Sequence, residues 1–118
     1  MLAAIESVAL VGIDAVPVRV EVDAAKGIPA LLLVGLPDTA VKEAQQRVDV
    51  AIKNSGYHWP GGRVTISLAP SDLRKQGSHY DLPIALALLA ASRQIERPDL
   101  SDICALGELS LDGGVRPV

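Results

Sequence analysis

The sequence predicts a mixed α/β (α+β) fold in the order β-β-β-α-β-α-β, a meander followed by crossovers. Three observations predict it. Val16, Val18, Val20 and Val22 alternate with Pro17, Arg19, Glu21 and Asp23, the period of a half-buried strand. Val41, Ala44, Val48, Ala51 and Ile52 recur at helical spacing. Leu82 to Ala91 is an almost unbroken apolar run entered from a polar, glycine-bearing loop.

Each element follows from its neighbours. Ala4–Gly12 and Val16–Ala24 read as strands joined through Gly12-Ile13-Asp14, and "AKGIP" turns the chain into a third strand, Ala30–Gly35, apolar enough to be central. "LPDT" starts a helix, with Asp38 or Thr39 able to accept from the free N–H groups of its first turn. Lys42, Glu43, Gln46, Arg47, Asp49 and Lys53 fall away from its apolar stripe, and Gly56 suits the left-handed position that ends it. Gly62–Pro70 is a fourth strand, and the polar loop "SDLRKQGSHYD" leads to a second helix reaching about Ser92. Residues 94–102 read as a connector. "ICALGELSLDGGVRPV" reads as a fifth strand, a turn at Asp112-Gly113-Gly114 and the start of another strand.

Composition narrows the class. A chain of 118 residues forms one domain with a real core, and 49% hydrophobic residues with no Phe require that core to be Ala, Val, Ile and Leu. A net charge of −3 does not describe a general nucleic-acid or membrane binder. The single Cys104 excludes an internal disulfide, and with two histidines a structural zinc site is not expected. The N-terminal stretch lacks a basic leader, and no run reaches the roughly 18 apolar residues of a membrane span. A soluble, cytoplasmic protein is expected.

Four clusters invite chemistry. Ser78, His79 and Asp81 hold the residue types of a hydrolase triad, but neighbours in one loop cannot form a linear nucleophile–base–orienter array. The same residues serve as a helix cap, with Ser78 or Asp81 accepting from the first turn and Pro83 sitting where an N–H is dispensable. Gly77 before a helix, with Arg74 and Lys75 upstream, offers an anion cradle. Tyr57, His58 and Trp59 near Arg63 could stack on bases, though a Trp–Pro pair more often covers a core edge. Glu108 and Asp112 share one side of a strand, as metal-binding or acid–base carboxylates would, or as ordinary surface acids do. No GxxxxGK[ST] motif occurs, so no ATP hydrolysis is expected from this chain alone.

Taken together, "VGLPD-AVKEA", "LAPSDL", "YDLPIAL" and "GELSLDG-VRPV" resemble the ChlI-like N-terminal domain of the magnesium-chelatase-related ComM/YifB family. The resemblance covers nearly the whole chain and implies one domain, 1–118, of a longer AAA+ protein. It also implies a fold like the Lon protease domain, in the ribosomal-protein domain 2-like superfamily, with helices on one side of a mixed sheet. ATP and Mg belong to the AAA+ module expected in the same chain, with no cofactor or metal here and a homo-oligomeric ring as the assembly. The implied role is accessory and non-catalytic: assembly, DNA or partner contact in ATP-driven branch migration during recombination or natural transformation. Laid on the Lon nucleophile loop, Gly77 meets the first glycine, Ser78 the proline and His79 the serine. The activating lysine falls past Val118. The alternative is a Lon-like peptidase using Ser78. If DNA touches the domain, Arg63, Arg74 and Lys75, with Gly77 and His79, are the expected contacts.

Overall fold

The computed structural model describes residues 1–96 and 99–118. Its main sheet is built from β1 (Leu2–Val11), β2 (Asp14–Ala25), β3 (Ala30–Val34), β4 (Arg63–Ala69) and β5 (Leu100–Cys104). Their order is β3-β4-β2-β1-β5. The β1–β2 and β2–β4 pairs are antiparallel, whereas β3–β4 and β1–β5 are parallel, so the sheet is mixed. The β1–β2 hairpin closes through Gly12 and Ile13 with Val11 opposite Asp14, and Gly12 at φ +62° supplies the backbone a two-residue turn needs.

The alternation read in β2 is the sheet's two-sidedness. Val18, Val20 and Val22 are buried with Ile5 of β1 and Val64, Ile66 and Leu68 of β4, while Pro17, Arg19 and Arg63 face water. Across that open face Arg19 lies 3.5 Å from Glu6 and 3.8 Å from Glu21.

The first helical segment is two pieces, α1 (Thr39–Lys42) and α2 (Ala44–Asn54), interrupted at Glu43. Asp38 caps α1, its side chain accepting from Val41 N at 2.8 Å. Gly56, at φ +90°, follows the end of α2 in the left-handed region. The apolar helix is α3 (Asp81–Ala91), which packs on β1 and β2 with its inner side and against α2 with its outer side. A helix covered on opposite flanks needs no polar stripe, which explains why nearly every residue from Pro83 to Ala91 is buried. Neither Ser78 nor Asp81 caps it. Tyr80 holds the cap position without a side-chain bond, because Asp81 is drawn into another contact.

The end of the chain departs from expectation. The fifth strand lies at Leu100–Cys104, partly inside the stretch read as a connector, and Arg97 and Pro98 of that stretch lie outside the described residues. Of the stretch read as a fifth strand, a turn and a further strand, Ile103 and Cys104 end β5, while the expected turn at Asp112-Gly113-Gly114 and the strand after it are present, joining β6 (Glu108–Leu109) to β7 (Val115–Arg116) as a separate small hairpin. It packs against α2 and α3 rather than joining the main sheet.

Candidate functional site

The carboxyl ends of the parallel strands β3 and β4 open into two loops, and these are zipped together. Lys75 N donates to Leu36 O and Asp38 N to Lys75 O, each at 2.9 Å. Gly35 makes the approach possible: at φ +112°, a Cβ there would lie 2.1 Å from Leu68 O. Leu36 follows at φ +54°, a left-handed conformation uncommon for a branched residue. Asp38 then serves both loops, with Oδ1 capping α1 and Oδ2 accepting from Gly77 N at 3.3 Å.

Between these loops and the end of β1 lies a cleft of about 590 Å³, lined by Asp38, Arg74, Gln76, Gly77 and His79, with an apolar wall including Leu10 and Leu73. His79 Nε2 sits 2.7 Å from Val8 O; a carbonyl only accepts, so this nitrogen carries the hydrogen. Its ring lies 4.1 Å from that of Tyr80. The cleft thus combines a carboxylate, a guanidinium and an imidazole above an apolar wall, and it is not a uniformly cationic cradle.

Beneath it lie two buried polar groups. Lys75 is 0% exposed and its Nζ donates to Pro70 O, so it points inward rather than presenting charge to an anion. Burial lowers its pKa, against a smaller opposing effect of Asp72. Tyr80 is also fully enclosed, and its hydroxyl has no hydrogen-bond partner among the described residues. Burial, reinforced by the Asp38 charge, pushes that hydroxyl up to about 12.

Asp81, read from sequence as a triad or cap residue, is instead half of a buried pair with Arg47 that the sequence did not reveal. Its carboxylate is completely buried and accepts from Arg47 Nε at 2.7 Å, Arg47 Nη2 at 3.0 Å and Leu109 N at 3.1 Å. Arg47 also donates to Ala40 O at 2.7 Å. The hydrogen bond to Asp81, outweighing burial, raises the guanidinium pKa. One ion pair therefore fastens α1, α2, α3 and β6 beneath the Gly77–Tyr80 turn.

The triad residues consequently engage separate partners. His79 Nε2 faces Val8, Asp81 faces Arg47, and Ser78 is half-buried with its carbonyl accepting from Asp81 N. Of the expected anion contacts, Arg74, Gly77 and His79 share the cleft and Lys75 lies under it. Arg63 stands at the opposite end of β4, six residues from Ala69 and therefore roughly 20 Å away. Trp59 packs on the core edge, while His58 is exposed and pairs through its backbone with Gln94. Glu108 lies 3.7 Å from Arg116, and Asp112 accepts from Ser110 Oγ and Gly114 N, closing its own turn. Those two acids are engaged apart from one another, not as a metal pair.

The sequence matches the family model described as subunit ChlI of Mg-chelatase over residues 20–118. It is 54% identical over 110 residues to YifB of Escherichia coli K12, covering 93% of this chain and 22% of that protein. Identity to YifB of Salmonella typhimurium LT2 is 50% over 117 residues, covering 99% of this chain and 23% of the relative. The competence protein ComM of Haemophilus influenzae is 44% identical over 117 residues, with the same two coverages of 99% and 23%. The chain thus spans less than a quarter of the length of these relatives. With the family model covering most of the chain and these relatives nearly all of it, the protein belongs to the magnesium-chelatase-related ChlI family that includes YifB and ComM.

Proposed function

We propose that this chain is a non-catalytic N-terminal accessory domain of a magnesium-chelatase-related AAA+ ATPase. Its work is assembly and contact with DNA or a partner, in ATP-driven branch migration during recombination or natural transformation. The observation that carries the reading is similarity along nearly the whole chain to a protein named for competence, of which this chain matches 23%. The remaining length is where the motor belongs, and ATP and Mg with it. The mixed sheet, with α3 and then α2 stacked on one face, is compatible with the Lon-like, ribosomal-protein domain 2-like superfamily expected for such a domain.

The cleft chemistry agrees with an accessory role. A peptidase reading needs the Ser78 hydroxyl hydrogen-bonded to a base, and among the described residues the neighbouring imidazole bonds Val8 O through Nε2 and makes no hydrogen bond to Ser78. A cytoplasmic location and a homo-oligomeric ring complete the proposal; no helix among the described residues is long and apolar enough to cross a membrane. The test is to read the source gene beyond codon 118. A P-loop and a Walker B acid downstream are expected. A reading frame that ends without them overturns the AAA+ parent.

A further inference from the structure

The main sheet ends at β3, whose outer side pairs with no strand among the described residues. A bare row of strand N–H and C=O groups recruits another strand, so natural edges are usually blunted by charges, prolines or bulges. The opposite edge, β5, exposes Ser101 and Asp102. β3 carries no such protection. No charged residue occurs from Gly27 to Pro37, and Pro29 and Pro37 lie outside the strand, which leaves every N–H from Ala30 to Val34 in place. Ala30, Leu32 and Val34 stand exposed on the open face of the sheet, in register with Arg63, Thr65 and Ser67 of β4. Leu31 and Leu33 are only half-buried on the other face. Ile28 and Leu36 prolong the apolar strip at its two ends, 87% and 52% exposed.

The residue pattern fits a second copy of the chain. Ala30-Leu31-Leu32-Leu33-Val34 reads nearly alike in both directions. Two antiparallel copies centred on Leu32 set Leu32 against Leu32 of the second copy, Leu31 against Leu33 and Ala30 against Val34. Each cross-strand pair is then aliphatic, on both faces of the sheet. The flanking charges favour the same direction. An antiparallel mate brings the Lys26 end of one copy to the Asp38 end of the other, whereas a parallel mate sets Lys26 beside Lys26. A two-fold axis perpendicular to the sheet performs this operation and keeps both helical layers on one side. Self-complementarity of one patch about such an axis is the requirement of an isologous interface.

We infer that β3 is a self-association edge, where a second copy of this chain adds antiparallel across Leu32 and joins two five-stranded sheets into one. This pairing is independent of the proposed role in DNA handling.

The test is sedimentation equilibrium of this chain between about 1 μM and 1 mM, the span suited to a small, strand-sized interface. A reversible monomer–dimer equilibrium is expected. Because Leu32 lies on the axis, the new side chain of Leu32→Lys faces its own copy and should weaken dimerisation roughly 100-fold or more, and Leu32→Glu should do the same. Mixed in equal amounts, the two variants should pair with each other, and this recovery separates a charge clash at the axis from a damaged fold. Ile13→Lys, at the exposed tip of the β1–β2 hairpin, should leave association unchanged. A wild-type chain that stays monomeric throughout overturns the inference, as does a dimer that Leu32→Lys leaves intact or mixed variants that fail to pair. Slow amide exchange of Leu31–Val34 in the parent protein, beside a monomeric isolated chain, would give the edge to another segment of that protein instead.

Discussion

Cutting the Arg47–Asp81 pair from either side should cost different amounts, and the asymmetry follows from exposure. The Asp81 side chain is 0% exposed, whereas the Arg47 side chain keeps 22% of its surface in water. In Asp81→Asn, Arg47 loses its counter-ion but retains Ala40 O and a route to solvent, so the loss should be about 2–3 kcal/mol. In Arg47→Leu the carboxylate stays sealed inside with only the Leu109 N–H, an uncompensated buried charge. The cost should then reach the upper part of the usual range, about 4–5 kcal/mol. Combining Arg47→Leu with Asp81→Asn removes both charges, and the double variant should be more stable than the two losses summed, by about 2 kcal/mol or more. Urea denaturation followed by far-ultraviolet circular dichroism measures all three, with an unchanged slope certifying a common unfolding reaction. Strictly additive losses, or an Asp81 variant worse than the Arg47 variant, would refute the reasoning that one buried pair fastens α2, α3 and β6.

Three further outcomes are expected. Tyr80→Phe should leave stability at neutral pH unchanged or raise it by about 1 kcal/mol, since the buried hydroxyl has no partner to lose. With the folded value about 12 against an ordinary value of 10.0, the unfolded chain releases the phenolic proton first. Native stability due to Tyr80 is therefore intact below pH about 10 and lost as pH rises toward 12, by roughly 2–3 kcal/mol. The difference between wild type and Tyr80→Phe across that window isolates this loss from the opposite trend of Lys75, whose lowered pKa makes stability rise toward its ordinary value of 10.5. Gly35→Ala should cost about 3 kcal/mol or abolish folding, because its Cβ would lie 2.1 Å from Leu68 O at φ +112°; unchanged denaturation would disprove the close β3–β4 approach. Ser78→Ala should shift stability by no more than about 0.5 kcal/mol and leave labelling by a serine-reactive probe unchanged. Labelling of the wild type that this variant removes would restore the hydrolase alternative.

Local signals carried much of the fold. The valine alternation of β2 reports a sheet with one covered face, and "LPDT" announced the Asp38 cap, because both depend on residues within a few positions. The fifth strand was misplaced because "LSDIC" needs only Leu100 buried at the sheet edge, so it shows no apolar period. The apolar residues after it serve a separate hairpin. The candidate site was less legible. Arg47 and Asp81 lie 34 residues apart, and Arg47 falls on the polar side of its helix pattern, where nothing distinguishes it from a solvated residue. Lys75 reads as a loop cation until the zipped loops enclose it. Arg63 was grouped with Arg74 by proximity in sequence, but a strand running between them carries them to opposite ends.

We propose that the domain serves a DNA-remodelling motor without performing chemistry itself. The most direct test compares the parent protein with and without residues 1–118, measuring ATP hydrolysis and migration of a four-way DNA junction in the same samples. The account predicts that hydrolysis persists while junction migration is lost when the domain is removed. Junction migration at the intact rate without the domain would contradict it.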